Sequence, residues 1–202
     1  SPAGFVFMSE PEFRATDIVY KGTEVLSSVS VPAIGKLPDI SALSSISYKL
    51  KIPNDTSFDL DQDRQTYQDN ILVVNKENVP SIDVRFCSGN DNELRSTPYI
   101  QSDSPYILRQ AESIVNNVTN DLEKVRALNQ WVYANLEKKP VLSIPDALST
   151  LRTKVGDCNE HAALFAALAR SLSIPARVVA GVTYHGGMFY YHAWNEVCLG
   201  GE

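Results

Sequence analysis

Cys158 stands where a cysteine could act as a nucleophile. It follows Gly156-Asp157 and precedes Asn159-Glu160-His161-Ala162-Ala163-Leu164-Phe165-Ala166-Ala167-Leu168, a stretch that is apolar almost all round. Asp157 is a good helix N-cap, and Glu160 three residues later completes a capping box. Cys158 is then the first helical residue, at the positive end of the helix dipole, where thiolate is favoured over thiol. Such a nucleophile needs a base to shuttle its proton and a further group to orient that base.

The chain offers three histidines as that base. His161 is three residues beyond Cys158, on a neighbouring face and at the rim of the buried helix. His185 lies in the turn His185-Gly186-Gly187, where a surface role is the ordinary one. His192 lies inside a strand, in Tyr190-Tyr191-His192-Ala193-Trp194-Asn195-Glu196, and is the strongest candidate. Taken alone, a buried Cys is most often a small hydrophobe and a strand His a satisfied core residue. A Cys at a capped helix start followed by a His on a later strand is the combination that points to catalysis.

The elements that must position these two residues are legible from periodicity. Ser104-Pro105 opens a helix through Val115. Asn120 with Glu123 opens a second, whose Leu122, Val125, Leu128, Val132 and Leu136 form one face at helical spacing and which ends at Lys138-Lys139-Pro140. Residues 145–151 form a short helix, and the Cys158 helix runs to about Leu172. Residues 177–184 and 189–199 read as a strand and its return. Helices first and strands after is an α+β order, with the buried helix packed on an antiparallel sheet. Residues 1–100 are β-rich and resemble a small sandwich. Ile46, Tyr48, Leu50 and Ile52 share one face, and Ile82, Val84 and Phe86 alternate in the same way. Residues 25–31 and 71–74 are weaker strand candidates.

Three ordered motifs carry a resemblance. They are Gly156-Asp157-Cys158-x-Glu160-His161, then Ala169-Arg170-x-Leu172-x-Ile174-Pro175-Ala176-Arg177-x-Val179-x-Gly181, then His192-Ala193-Trp194-x-Glu196-Val197. Together they resemble the transglutaminase-like superfamily of papain-like cysteine enzymes, and its bacterial members most of all. The resemblance covers residues 103–202 and not residues 1–95. It implies a transglutaminase-like catalytic core over residues 101–202, with Cys158 as nucleophile and His192 as general base and acid of a Cys-His-Asp triad. It implies a protein or peptide substrate, no cofactor, and hydrolysis by a protease or amidase ahead of cross-linking. The family's Asp follows the His on the next strand, and the sequence stops at Glu202 before that point. Glu196 shares the His192 face but lies about 13 Å along the strand, and Asn195 points to the opposite face. The expectation is a domain truncated before its triad Asp and inactive or nearly so, since loss of the orienting acid costs about 10⁴ in the serine-protease precedent. The Cys158 backbone N–H is a natural oxyanion donor.

Composition narrows the classes further. The 202 residues are 44% hydrophobic and 21% charged, which suits one large or two small globular domains. A net charge of −6 argues against nucleic acid and anionic membrane surfaces as partners. No apolar run approaches the roughly 20 residues of a membrane span. Cys87, Cys158 and Cys198 are too few for a disulfide framework, though one disulfide with one free thiol is possible. The opening Ser1-Pro2-Ala3-Gly4 reads as an internal start. Asp59, Asp61 and Asp63 hint at a calcium loop, but Arg64 and Asn70 occupy the positions that need Gly and Glu, so a solvated acidic turn is expected. A metal site from Cys158, His161 and His192 or Cys198 lacks a second closely spaced ligand pair. The alternative to an enzyme is a non-catalytic binding or scaffold module that keeps the fold and uses its β-rich half as the interaction surface.

Overall fold

The computed structural model describes residues 30–35, 42–52, 58, 60–61, 65–76, 91–141 and 144–199. Along the chain these form β1 (Ser30–Pro32), β2 (Ser45–Lys49), β3 (Gln65–Gln68), β4 (Ile71–Asn75), a 3-10 turn at Asp91–Glu93, α1 (Pro105–Ile114) and α2 (Asp121–Asn135). There follow β5 (Glu137–Lys138), α3 (Ala147–Thr153), β6 (Val155–Gly156), α4 (Cys158–Ser171), β7 (Ala176–His185) and β8 (Met188–Val197). The longer strands are antiparallel and fall before and after the run of helices, with only the two-residue β5 and β6 among them, so the fold class is α+β. The strand expected at 82–86, Cys87, and Asp59 and Asp63 of the acidic turn lie outside the described residues.

Side chains at the helix starts satisfy backbone N–H groups that have no partner inside the helix. Ser104 accepts from the Tyr106 N–H at 3.3 Å and Asn120 from that of Glu123 at 3.1 Å. Asp146 accepts from Ser149 and Asp157 from Asn159, both at 2.9 Å. Each cap is a residue type whose short polar side chain competes well for backbone groups. The second helix stops at Asn135, three residues before the expected end. Glu137 and Lys138 instead pair in parallel with Val155 and Gly156, which brings the end of α2 beside the turn before Cys158.

The described residues fall into two compact units, one from Ser1–Ile82 with Val179–His192 and the other from Asp83–Val178 with Ala193–Glu202. In the first, β4 lies between β2 and β3, all antiparallel. Leu60, Leu72 and Val74 are buried, with Ile46, Tyr48, Leu50 and Ile52 packed on them, so the alternation read in 46–52 marks the inner face. The Asp69-Asn70 turn has positive φ at both residues (51° and 64°), which Asp and Asn tolerate better than most. β1 pairs antiparallel with β8, Ser30 opposite Tyr190. β8 also bonds β7, the two joined by Gly186-Gly187 with φ of 57° and 88°, a turn that demands glycine.

The second unit is built around α4. Residues from Ala162 to Arg170 are all buried, and α1, α2 and α3 pack around them. Leu128 and Val132 line the buried face of α2, with Leu136 buried just past its end, as their spacing predicts, and Ile107 and Ala111 do so for α1. Arg170, near the end of α4, is 9% exposed: its Nε donates to the Ala176 carbonyl at 2.8 Å and its Nη1 to the Arg95 carbonyl at 2.7 Å. Those bonds hold the start of β7 and the segment before α1 to the far end of the Cys158 helix. The Cys198 N–H donates to the Pro175 carbonyl at 2.9 Å, closing the base of the β7–β8 hairpin.

Candidate active site

Cys158 is the first residue of α4, as expected, and is half-buried. The turn that aims it is tightly constrained. Asp157 caps the helix, and the Glu160 carboxylate accepts from the Asp157 N–H at 2.9 Å. Gly156 is required on steric grounds: a Cβ there would stand 2.2 Å from the Glu160 Cβ and 2.7 Å from its Cγ. Gly156, Asp157 and Glu160 thus form one device that sets the direction of the first turn. Glu160 is 4% exposed, and burial raises its carboxyl to about 7, helped by the neighbouring Asp157 side chain.

The thiol itself departs from the expectation of an activated thiolate. Burial pushes it up to about 11, and the Asp157 carboxylate adds to the rise, with a smaller addition from Glu160. Backbone hydrogen bonds from Ala193 and from Cys158 itself pull in the opposite direction. The cap that fixes the helix start is therefore also a negative charge that disfavours the thiolate. Taking the proton from a thiol of this kind during attack is work for a separate base.

The Ala193 bond brings β8 to the sulfur. Ala193 is buried and follows His192 directly in the strand. His192 is itself buried, 6% exposed, and is the last residue of the first unit. The His161 Nδ1 lies 2.6 Å from the Asp157 carbonyl, so Nδ1–H donates there and the lone pair is left on the buried Nε2, while burial lowers the pKa of the ring. His185 is exposed at the hairpin tip. Trp131 packs against the helical core with the Lys154 ammonium 4.8 Å from its ring centre, in keeping with a packing role. Glu196 is engaged with Arg177, whose Nε donates to it at 2.6 Å.

Cys158 is free and Cys198 is disulfide-bonded. A cavity of about 490 Å³ lies beside the turn, lined by Val141, Thr150, Arg152, Val155 and Glu160 among others, and Cys158 is not part of its wall. Among the described residues no three His, Cys, Asp or Glu side chains gather as a metal site would need, and no helix is long and apolar enough to cross a membrane. Asn195 is the residue whose part could not be read from the sequence. Its amide donates to the Ala162 carbonyl at 3.0 Å, inside α4. The available signal was a polar side chain on the same strand face as Ala193, the face that meets the apolar helix.

Residues 109–202 match the sequence profile of the transglutaminase-like superfamily. An uncharacterised protein of Haemophilus influenzae is 29% identical over 108 residues, which cover 51% of this chain and 29% of that protein. The crystal structure of a "putative cysteine protease" from Cytophaga hutchinsonii is 25% identical with a TM-score of 0.51, covering 64% of this chain and 48% of the other. The periplasmic domain of TgpA from Pseudomonas aeruginosa is 20% identical with a TM-score of 0.43, over 76% of this chain and 58% of that one, too distant to carry an argument. The chain thus spans less than a third of the Haemophilus relative and about half of the Cytophaga protein. The profile match falls on the part of the chain that holds the capped Cys158 helix and the β7–β8 hairpin, and that part belongs to the transglutaminase-like superfamily.

Proposed function

We propose that the protein is a cysteine acyltransferase of transglutaminase-like type, acting on amide or peptide bonds through a thioester at Cys158 with His192 as the base, and that residues 101–202 are its catalytic core. The observation that carries this reading is the backbone hydrogen bond from Ala193 to the sulfur at the start of a buried, capped helix. It ties to the nucleophile the strand residue that directly follows His192.

The chemistry follows from the protonation states. At neutral pH a thiol raised to about 11 keeps its proton, so His192 accepts it as sulfur attacks the carbonyl carbon. The developing oxyanion takes the Cys158 N–H, a donor at the positive end of α4. The C–N bond then breaks, the imidazolium proton goes to the leaving amine, and a thioester remains. Water attacks the thioester with His192 again taking a proton, the carboxylic acid leaves, and the thiol is restored. An amine in place of water gives transamidation. Hydrolysis is the preferred outcome, by analogy with the Cytophaga protein's description as a "putative cysteine protease".

The test uses the whole protein on a library of peptide amides. Cleavage lost in both C158A and H192A supports the reading, and cleavage that survives C158A overturns it. One observation favours a second reading, a scaffold module that keeps the fold: the same high thiol pKa also describes an inert cysteine. That reading predicts that C158A leaves the biological activity of the whole protein unchanged.

A further inference from the structure

We propose that Asn195 is a positioning residue, which latches β8 onto the Cys158 helix and thereby sets where His192 stands on its strand. The inference rests on the reading of His192 as the base for Cys158.

β8 meets α4 within the second unit. The Ala193 backbone bonds the Cys158 sulfur, and the Asn195 Nδ2 donates to the Ala162 carbonyl at 3.0 Å. Cys158 and Ala162 are four residues apart, one turn of helix and about 6 Å of rise. Ala193 and Asn195 are two residues apart on one strand face, about 6.7 Å. The spacings match, so strand and helix are pinned at two points a turn apart. The remaining Asn195 amide hydrogen faces the Arg177 carbonyl at 3.5 Å, on the neighbouring strand of the hairpin. Both neighbours are carbonyl oxygens, so the site needs a donor with two hydrogens, and a carboxylate of the same shape cannot supply one. The small residue at Ala162 lets the amide reach the helix backbone.

The register of β8 is held by its pairing with β7 and β1. What the Ala193 bond alone leaves free is rotation of the strand about the sulfur, which carries His192 with it. Asn195 removes that freedom. The face that disqualifies Asn195 as a third triad member is the face from which it can position the second.

The test measures iodoacetamide alkylation of the Cys158 peptide by mass spectrometry at pH 7 in wild type, H192A, N195V and N195V/H192A, with melting temperatures alongside. Valine suits a strand and leaves the Ala162 carbonyl to its helix, so N195V is expected to melt within a few degrees of wild type. Wild type is expected to react at least tenfold faster than H192A. In the N195V background that ratio is expected to fall below threefold, an uncoupling that loss of stability alone does not produce below the melting point. A folded N195V that keeps the wild-type ratio overturns the proposal and leaves the His192 reading intact. Equal rates in wild type and H192A overturn the His192 reading and this proposal with it. Should N195V melt below the assay temperature, N195D, of the same shape, carries the same comparison. Loss of the folded state in both would make Asn195 a requirement of the fold and overturn the proposal.

Discussion

The two units bury their apolar residues in different ways. In the second, fifteen buried residues from the four helices, the segments that follow them and the start of β7 form one cluster among the described residues, and six of them lie consecutively on α4. In the first, three buried residues, Leu60, Leu72 and Val74, sit beneath half-buried side chains on one sheet face. A helix surrounded on all sides has no room to tilt, so its first residue is held as firmly as its core. A sheet with one thin apolar face can bend at little cost. The candidate nucleophile is on the element of the first kind.

That contrast can be broken most directly in the two cores. Leu168 is completely buried in α4, and L168A is expected to destabilise the second unit by about 4 kcal/mol, since the packed helices around it cannot collapse into the space. Urea unfolding followed by tryptophan fluorescence reads this unit, because Trp131 and Trp194 both belong to it. Leu72 is 1% exposed, yet L72A should cost only about 2 kcal/mol, because half-buried neighbours can move into the gap. Equal losses would remove the distinction.

The next effect is a dependence on pH. Glu160 titrates at about 7 in the folded protein against 4.5 for the free side chain. Between those values the folded state holds a proton the unfolded chain has released. Stability contributed by Glu160 is therefore lost as pH rises from about 4.5 to about 7, on the order of 2–3 kcal/mol, and is level above that. Denaturation of wild type and E160Q across pH 4–8 checks the sign. The glutamine variant should lack this decline, and a wild-type profile that rises over the same window would show that Glu160 is not held protonated. Smaller still, N120A should cost α2 about 1 kcal/mol through its lost cap. R126A, which removes an exposed pair with Glu123, should cost less than about 0.5 kcal/mol by the same measurement.

How much of this was legible depended on the range of the interactions. Helix starts are written in one side chain and its next three residues, so Ser104, Asn120 and Asp157 could be read directly. The buried face of α2 and the inner face of β2 are periodic, and both could be read. β3 was not foreseen, because Gln65-Thr66-Tyr67-Gln68 has little apolar signal and becomes a strand through its pairing with β4. The two-residue pairing of β5 with β6 is likewise a product of the fold. At the site, the position of Cys158 was visible and its acidity was not. The helix start is a property of the local sequence, but the largest influence on the thiol is burial, which is set by the surrounding helices, with the Asp157 charge adding to it. The Asn195 bond to Ala162 spans 33 residues and belongs wholly to tertiary structure.

The central claim is that Cys158 is acylated with the help of His192. The direct measurement incubates the whole protein with an activated peptide ester at pH 7, quenches in acid at timed intervals, and follows the acyl mass on the peptide that carries Cys158. The account predicts a thioester at Cys158 that forms at least tenfold faster in wild type than in H192A and is absent in C158A. Equal rates in wild type and H192A, or an acyl group found elsewhere and undiminished in C158A, would contradict it.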